Sequence, residues 1–150
     1  MAHAHALPNL GMRRFGRQDG EYSRRQWSEV KSLQSPAWLK QVYDKISTLG
    51  ELRENWDSHG GSPVTEDAIL MIRVVLSNLD IQDMPRPHVA AIPDGGIGLH
   101  WRVANRDLEI EVEPNGMIHS LKTTIGQEPI DNNVESLKDF QNMLDWALGR

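Results

Sequence analysis

From Pro87 to Thr124 apolar and polar residues alternate between short turn signals, and few folds accommodate that pattern. Period-two alternation marks strands with one buried face. Asn115-Gly116, set between two such runs, is a hairpin signal, because a type I′ turn needs positive φ at both central residues. A two-residue loop there pairs Pro114 with Met117, Val112 with His119, Ile110 with Leu121 and Leu108 with Thr123. A preceding turn at Asn105-Arg106 sets Val103 opposite Leu108, Trp101 opposite Ile110 and Leu99 opposite Val112. Both hairpins then agree on the faces. Ile97, Leu99, Trp101, Val103, Leu108, Ile110, Val112 and Leu121 lie on the core side. His100, Arg102, Glu109, Glu111, Glu113, Ile118, Ser120 and Lys122 lie on the other. A slip of one residue would exchange the two sets, so the register is strongly specified. The first turn, Asp94-Gly95-Gly96, stays open. A two-residue loop points Ala90 and Ile92 inward, and a three-residue loop points Val89 and Ala91 inward.

Helical periods flank this meander. Ser35-Pro36 reads as an N-cap and first helical position, followed by Leu39, Val42, Ile46 and Leu49 at three- and four-residue spacing. Gly50 breaks or bends that helix, and Leu52 and Trp56 continue the spacing if it resumes. Thr65 caps a second helix with Glu66 and Asp67 in its first turn. From Ala68 to Leu79 that helix is apolar on most sides, which predicts a central, covered position across the sheet. Gly126 to Asn133 reads as a loop. Val134 to Leu148 reads as the last helix, with Leu137, Phe140, Leu144 and Leu148 inward and Trp146 opposite, beside Met143 and Ala147. Residues 1–22 form an arm without periodicity, residues 23–150 form one domain, and Ser23 to Leu33 suits a short helix with Trp27, Val30 and Leu33 on one side. The expected fold is α+β, two layers, with a four-stranded antiparallel meander and helices packed on one face.

Charge is distributed unevenly. Of the net −5, residues 1–34 hold six Lys or Arg against three Asp or Glu, and the rest holds ten against eighteen. On charge alone the body is a poor nucleic-acid binder. Arg13, Arg14 and Arg17, with Arg24 and Arg25, could touch nucleic acid weakly, meet an acidic partner, or fold back on the acidic body. The chain has no cysteine, which excludes disulfides and thiolate chemistry and fits a reducing cytoplasm, the expected location. No apolar run approaches the roughly 20 residues of a membrane helix, and the N-terminus lacks a signal peptide's apolar core, so no membrane partner is expected.

Few stretches invite a chemical reading. Asp57-Ser58-His59 contains triad residue types, but consecutive side chains in an extended loop diverge. The expected role is a turn, with Asp57 bonded to nearby amides, Gly60-Gly61 at unusual φ and Trp56 plugging the core edge. Gly60-Gly61 and Gly95-Gly96 lack the Lys and the strand-to-helix setting of a phosphate loop. The H-A-H pair at His3 and His5 makes no metal site alone, so neither metal nor cofactor is expected. His88 and His119 fall on or near the core side. The charged sheet face is the main candidate. Its register opposes His100 to Glu111, Glu111 to Ser120, Arg102 to Glu109, and Glu109 to Lys122. These pairs suit an ordinary solvated face or a docking face, where Glu109, Glu111 and Glu113 meet a basic partner around His100 and Ile118.

Trp56 to Ala68 (W-D-S-H-G-G-S-P-V-T-E-D-A), Pro93 to Trp101 (P-D-G-G-I-G-L-H-W) and Leu108 to Gly116 (L-E-I-E-V-E-P-N-G) resemble a group of small bacterial proteins. These share a W-D-x-x-G-x-x-P loop, a helix and a P-x-G-G-I-x-L-x-W strand. The resemblance covers about residues 50–122. It implies a bacterial source and this fold, and it carries over no catalytic residue.

Two functions follow as expectations. The first is a non-catalytic protein-binding module of the antitoxin, immunity or regulatory-subunit type. It would use the sheet face (His100, Arg102, Glu109, Glu111, Glu113, Ile118, Lys122), the loop (Trp56, Asp57, His59), the arm and the C-terminal helix. Trp146 would face a second copy or the partner. The second is a small hydrolase or nuclease centred on the Trp56–Pro63 loop.

Overall fold

A computed structural model describes residues 35–150. The arm with Arg13, Arg14 and Arg17, the pair Arg24 and Arg25, the H-A-H pair and the expected Ser23–Leu33 helix lie outside the described residues. In chain order the elements are α1 (Leu39–Leu49), α2 (Glu66–Asn78), β1 (His88–Ala91), β2 (Ile97–Val103), β3 (Arg106–Val112), β4 (Ile118–Thr124), β5 (Ile130–Val134) and α3 (Leu137–Leu148). The fold is α+β. Its sheet is antiparallel, ordered β1-β2-β3-β4-β5, with five strands where the sequence suggests four. The sequence suggests a loop at the fifth because Asp131, Asn132 and Asn133 are turn formers. They are held in a strand by pairing with β4, where Ser120 faces Asn132 and Ile118 faces Val134.

The three turns decide which side chains are buried. Between β1 and β2, Ile92 N–H donates to the Gly96 carbonyl across Pro93-Asp94-Gly95. The loop has three residues but sits one residue before the expected Asp94-Gly95-Gly96, and because the register offset is even it keeps the inward side of the three-residue alternative, with Val89 buried. Gly95 has φ +102, and a Cβ on Gly96 would collide with the Val112 carbonyl. Between β2 and β3 the turn is Ala104-Asn105, so Trp101 faces Leu108 and Leu99 faces Ile110. Ala104 takes φ +54, which costs about 1–2 kcal/mol. The offset from the expected register is even, so no residue changes face. It sets Arg102 opposite Asp107 and His100 opposite Glu109, in place of the expected partners.

Between β3 and β4 the offset is odd. Pro114 has no N–H to close a two-residue loop. Glu113 N–H donates instead to Met117 O (2.7 Å), and Gly116 N–H to Glu113 O (2.8 Å), with Gly116 at φ +86. This is a type I turn closed by a left-handed glycine. Its consequence is that β4 presents the opposite faces from those expected. Ile118 (8% exposed) and Ser120 (2%) turn inward, and Lys122 shares their side. His119 and Leu121 turn outward, beside Glu111 and Glu109.

The core joins these strands to the helices in one cluster that includes Val42, Ile46, Ile72, Leu76, Trp101, Ile110, Phe140 and Leu144. Helix α1 buries the expected Leu39, Val42, Ile46 and Leu49, but it starts after Trp38 and does not resume after Gly50. A Cβ on Gly50 would lie 2.8 Å from Ile69 Cδ1, which sets how closely α1 and α2 pass. Thr65 caps α2 as expected, accepting from Ala68 N–H. Helix α2 is not covered all round, since Leu70 is 61% and Val74 52% exposed. Helix α3 begins after its cap Ser136, and its buried stripe is Phe140, Met143, Leu144 and Ala147. Leu137 is 44% exposed, so the stripe is rotated from the expected one.

That rotation corrects the reading of Trp146. The half-buried ring packs against the core cluster. Arg106 and Lys122 each place their charge 5.3 Å from the ring centroid, and Arg106 Nη1 donates to the Trp146 carbonyl at the helix end. Lys122 therefore belongs to the side of Trp146, not to the charged face. No helix among the described residues is long and apolar enough to cross a membrane.

Candidate functional site on the outer sheet face

The sheet face away from the core carries alternate residues of all five strands. Two rows run across it, His88–His100–Glu109–Leu121–Asp131 and Ala90–Gly98–Glu111–His119–Asn133. Asp107 and Glu113 extend the β3 alternation at either end. The expected His100, Arg102, Glu109, Glu111 and Glu113 are therefore together on one face. Ile118 and Lys122 are not. His88 is exposed on this face and His119 half-buried on it, so neither is a core-side histidine.

Two of these carboxylates are engaged. Asp107 Oδ1 accepts from His100 Nε2 (2.7 Å) and Arg102 Nε (2.9 Å), and Oδ2 accepts from Arg102 Nη2 (3.3 Å). The Arg102 guanidinium, and then the His100 ring, hold the Asp107 carboxyl below the usual carboxylate range. The same pairing raises Arg102 further above its ordinary value. Glu113 Oε1 accepts from His119 Nε2 at 2.5 Å. Glu109 and Glu111 are exposed, and among the described residues neither has an ion-pair partner. They form a ridge between two shallow depressions. One is bordered by His119, Leu121 and Asp131. The other is bordered by His88 and His100 and floored by Ala90 and Gly98, whose small size leaves it open.

Sequence reasoning missed Asp107, His119 and Asp131. The signal for Asp107 was present, since Asp107, Glu109, Glu111 and Glu113 alternate without a break. Recognising His119 required weighing the missing N–H of Pro114, and Asp131 required the fifth strand. Among the described residues no three His, Asp or Glu side chains are placed to share a metal ion.

The Trp56–Pro63 loop folds on itself. Asp57 Oδ1 accepts from His59 N–H (2.9 Å) and Gly61 N–H (2.8 Å). Those amides hold the Asp57 carboxyl below its usual range. His59 Nδ1 lies 2.7 Å from the Asp57 carbonyl, and Asn55 Oδ1 accepts from Gly60 N–H. Asn55 (φ +61), Ser58 (φ +63) and Gly60 (φ +86) supply the left-handed bends. A Cβ on Gly61 would fall 2.8 Å from the Asp57 carboxylate, so that glycine admits the carboxylate into the loop. Trp56 Nε1 donates to Ser62 O (2.8 Å), and the ring is outside the core cluster, contrary to its expected role as a plug. The loop is tied to the β1–β2 turn, since Ser62 N–H donates to Pro93 O and Thr65 N–H to Gly95 O. The two glycine-rich stretches thus brace each other.

No protein-family model, curated protein or solved structure matches this chain.

Proposed function

We propose that this protein is a non-catalytic binding module whose outer sheet face receives a basic protein partner. The observation that carries the reading is the pair Glu109 and Glu111, exposed, unpaired among the described residues, and raised between two depressions. Asp131 extends the acidic field on the same face, where Arg102 and His100 engage Asp107 and His119 engages Glu113. A field of one sign steers an oppositely charged partner and fixes its orientation. The half-buried His100, His119 and Leu121 give the field an interior that a partner can desolvate. In this reading the helices form a second layer over the core face alone. The antitoxin, immunity and regulatory-subunit classes all fit such a surface.

The loop geometry favours this over a hydrolase or nuclease. Asp57 spends both hydrogen bonds on backbone amides of its own loop, and the imidazole of His59 turns to a carbonyl. Co-purification from the native host, read by mass spectrometry, tests the proposal. The wild type should retain a basic protein that Glu109→Lys/Glu111→Lys loses and Asp57→Asn keeps. Equal recovery by the charge-reversed variant would remove the outer face from the account.

A further inference from the structure

Strand β5 is an outer edge of the sheet, and among the described residues no strand pairs with its far side. The turn before β4 decides which backbone groups that edge offers. Glu113 N–H donates to Met117 O, so these two residues are a bonded position of the β3–β4 ladder. Bonded positions alternate along an antiparallel pair, so His119 and Leu121 also turn their N–H and C=O toward β3. Ile118, Ser120 and Lys122 turn theirs toward Val134, Asn132 and Ile130 of β5. The N–H and C=O groups of Asp131 and Asn133 are therefore directed away from the sheet. This short ladder is bounded at both ends. Pro129 has no N–H, and the Glu135 N–H donates to Asp139 Oδ2 at 3.3 Å. Between those ends, Ile130 to Val134 contains no Lys, no Pro and no bulge to guard the edge.

The sequence of β5, Ile-Asp-Asn-Asn-Val, is complementary to itself when reversed. Across a twofold axis residue i meets j and j meets i. With the axis at Asn132, Asp131 of each copy lies opposite Asn133 of the other, and Ile130 lies opposite Val134. Each Asp131–Asn133 pair exchanges both backbone N–H···O bonds, and each carboxylate meets an Asn amide. Pro129 then lies opposite Glu135, where neither has an N–H to offer. Sliding one copy spoils the match in either direction. One slide sets Asp131 against Asp131 and Asn133 against Pro129. The other sets Asp131 against Glu135, whose N–H is taken. Both place carboxylates directly opposite each other, which is unfavourable. We propose that β5 pairs with β5 of a second copy of this chain in the register centred on Asn132, joining two five-stranded sheets into one. Ile130, 51% exposed, gains Val134 of the other copy as a neighbour. The assembly sets the two outer faces side by side, and it does not depend on what those faces bind.

Sedimentation of the full chain, over a concentration series up to about 1 mM, should show a monomer–dimer equilibrium. Asn133→Pro removes an outward N–H and leaves the β4 ladder its bonds, so it should abolish the dimer and keep the circular dichroism spectrum. Asn133→Asp sets a carboxylate against each Asp131 and should weaken the dimer severalfold. Asn133→Lys sets an ammonium there and should tighten it severalfold. These opposite effects separate the β5 seam from any other surface, and they decide the matter if Asn133→Pro does not fold. A wild type that is monomeric at every concentration would overturn the proposal. So would a dimer that a folded Asn133→Pro chain retains, or one that Asn133→Asp and Asn133→Lys shift in the same direction or leave unchanged.

Discussion

Trp101 is fully buried, and its indole Nε1 donates to the Pro85 carbonyl at 2.9 Å. Trp101→Ala removes that bond and leaves a cavity, so it should cost roughly 3–5 kcal/mol, read as a lower urea midpoint. Asp57 behaves differently. An Asn in its place keeps an oxygen for the amides of His59 and Gly61, so Asp57→Asn should fold with a nearly unchanged midpoint and bind the partner normally. A folded Asp57→Asn protein that loses function would bring the loop back as a site. Acid sensitivity follows from Asp107, whose carboxyl Arg102 and His100 hold below the ordinary 3.8. A depressed carboxylate contributes fully above its unfolded pKa and loses that contribution as pH falls through the folded one. Urea midpoints between pH 5 and pH 2 should therefore fall more steeply for the wild type than for Asp107→Asn. Parallel curves would show that the ion pair does not couple to folding.

Among the elements, β4 separates what was legible in the sequence from what was not. The alternation in β2 and β3 identified the buried Leu99, Trp101, Leu108 and Ile110 despite the displaced turn, because an even offset preserves faces. In β4 the Asn115-Gly116 signal was real, but Pro114 lengthened the loop by one residue and turned Ile118 inward. Ile118→Ala should then cost about 2–4 kcal/mol, whereas Leu121→Ala, at a half-buried outer position, should cost under about 1 kcal/mol. The reverse order in urea titrations would restore the two-residue loop. Strand β5 was illegible for another reason. Its polar residues carry no strand propensity, and only pairing with β4 holds them. The face of Trp146 was not legible because the apolar residues of α3 admit two stripes; the buried one is Phe140, Met143, Leu144 and Ala147, with Arg106 of β3 against Trp146.

At the scale of the molecule, the body carries ten Lys or Arg against eighteen Asp or Glu, and Glu109 and Glu111, without an ion-pair partner among the described residues, stand on a single sheet face. The sequence disclosed the charge, the alternation and most of the face; the β3–β4 register brought His119 into it, and pairing of β5 with β4 determined its width and added Asp131. Long-range attraction to such a face weakens with salt, over a Debye length of about 10 Å at 0.1 M. Association with the partner should slow as salt rises, with a smaller change in dissociation. The central claim is tested most directly by mapping amide chemical shifts of the labelled protein as its purified partner is added. The account predicts that shifts concentrate at Glu109, Glu111, His119 and Leu121 and are lost in Glu109→Lys/Glu111→Lys. Shifts confined to the helices or to residues 55–63, with the outer strands silent, would contradict it.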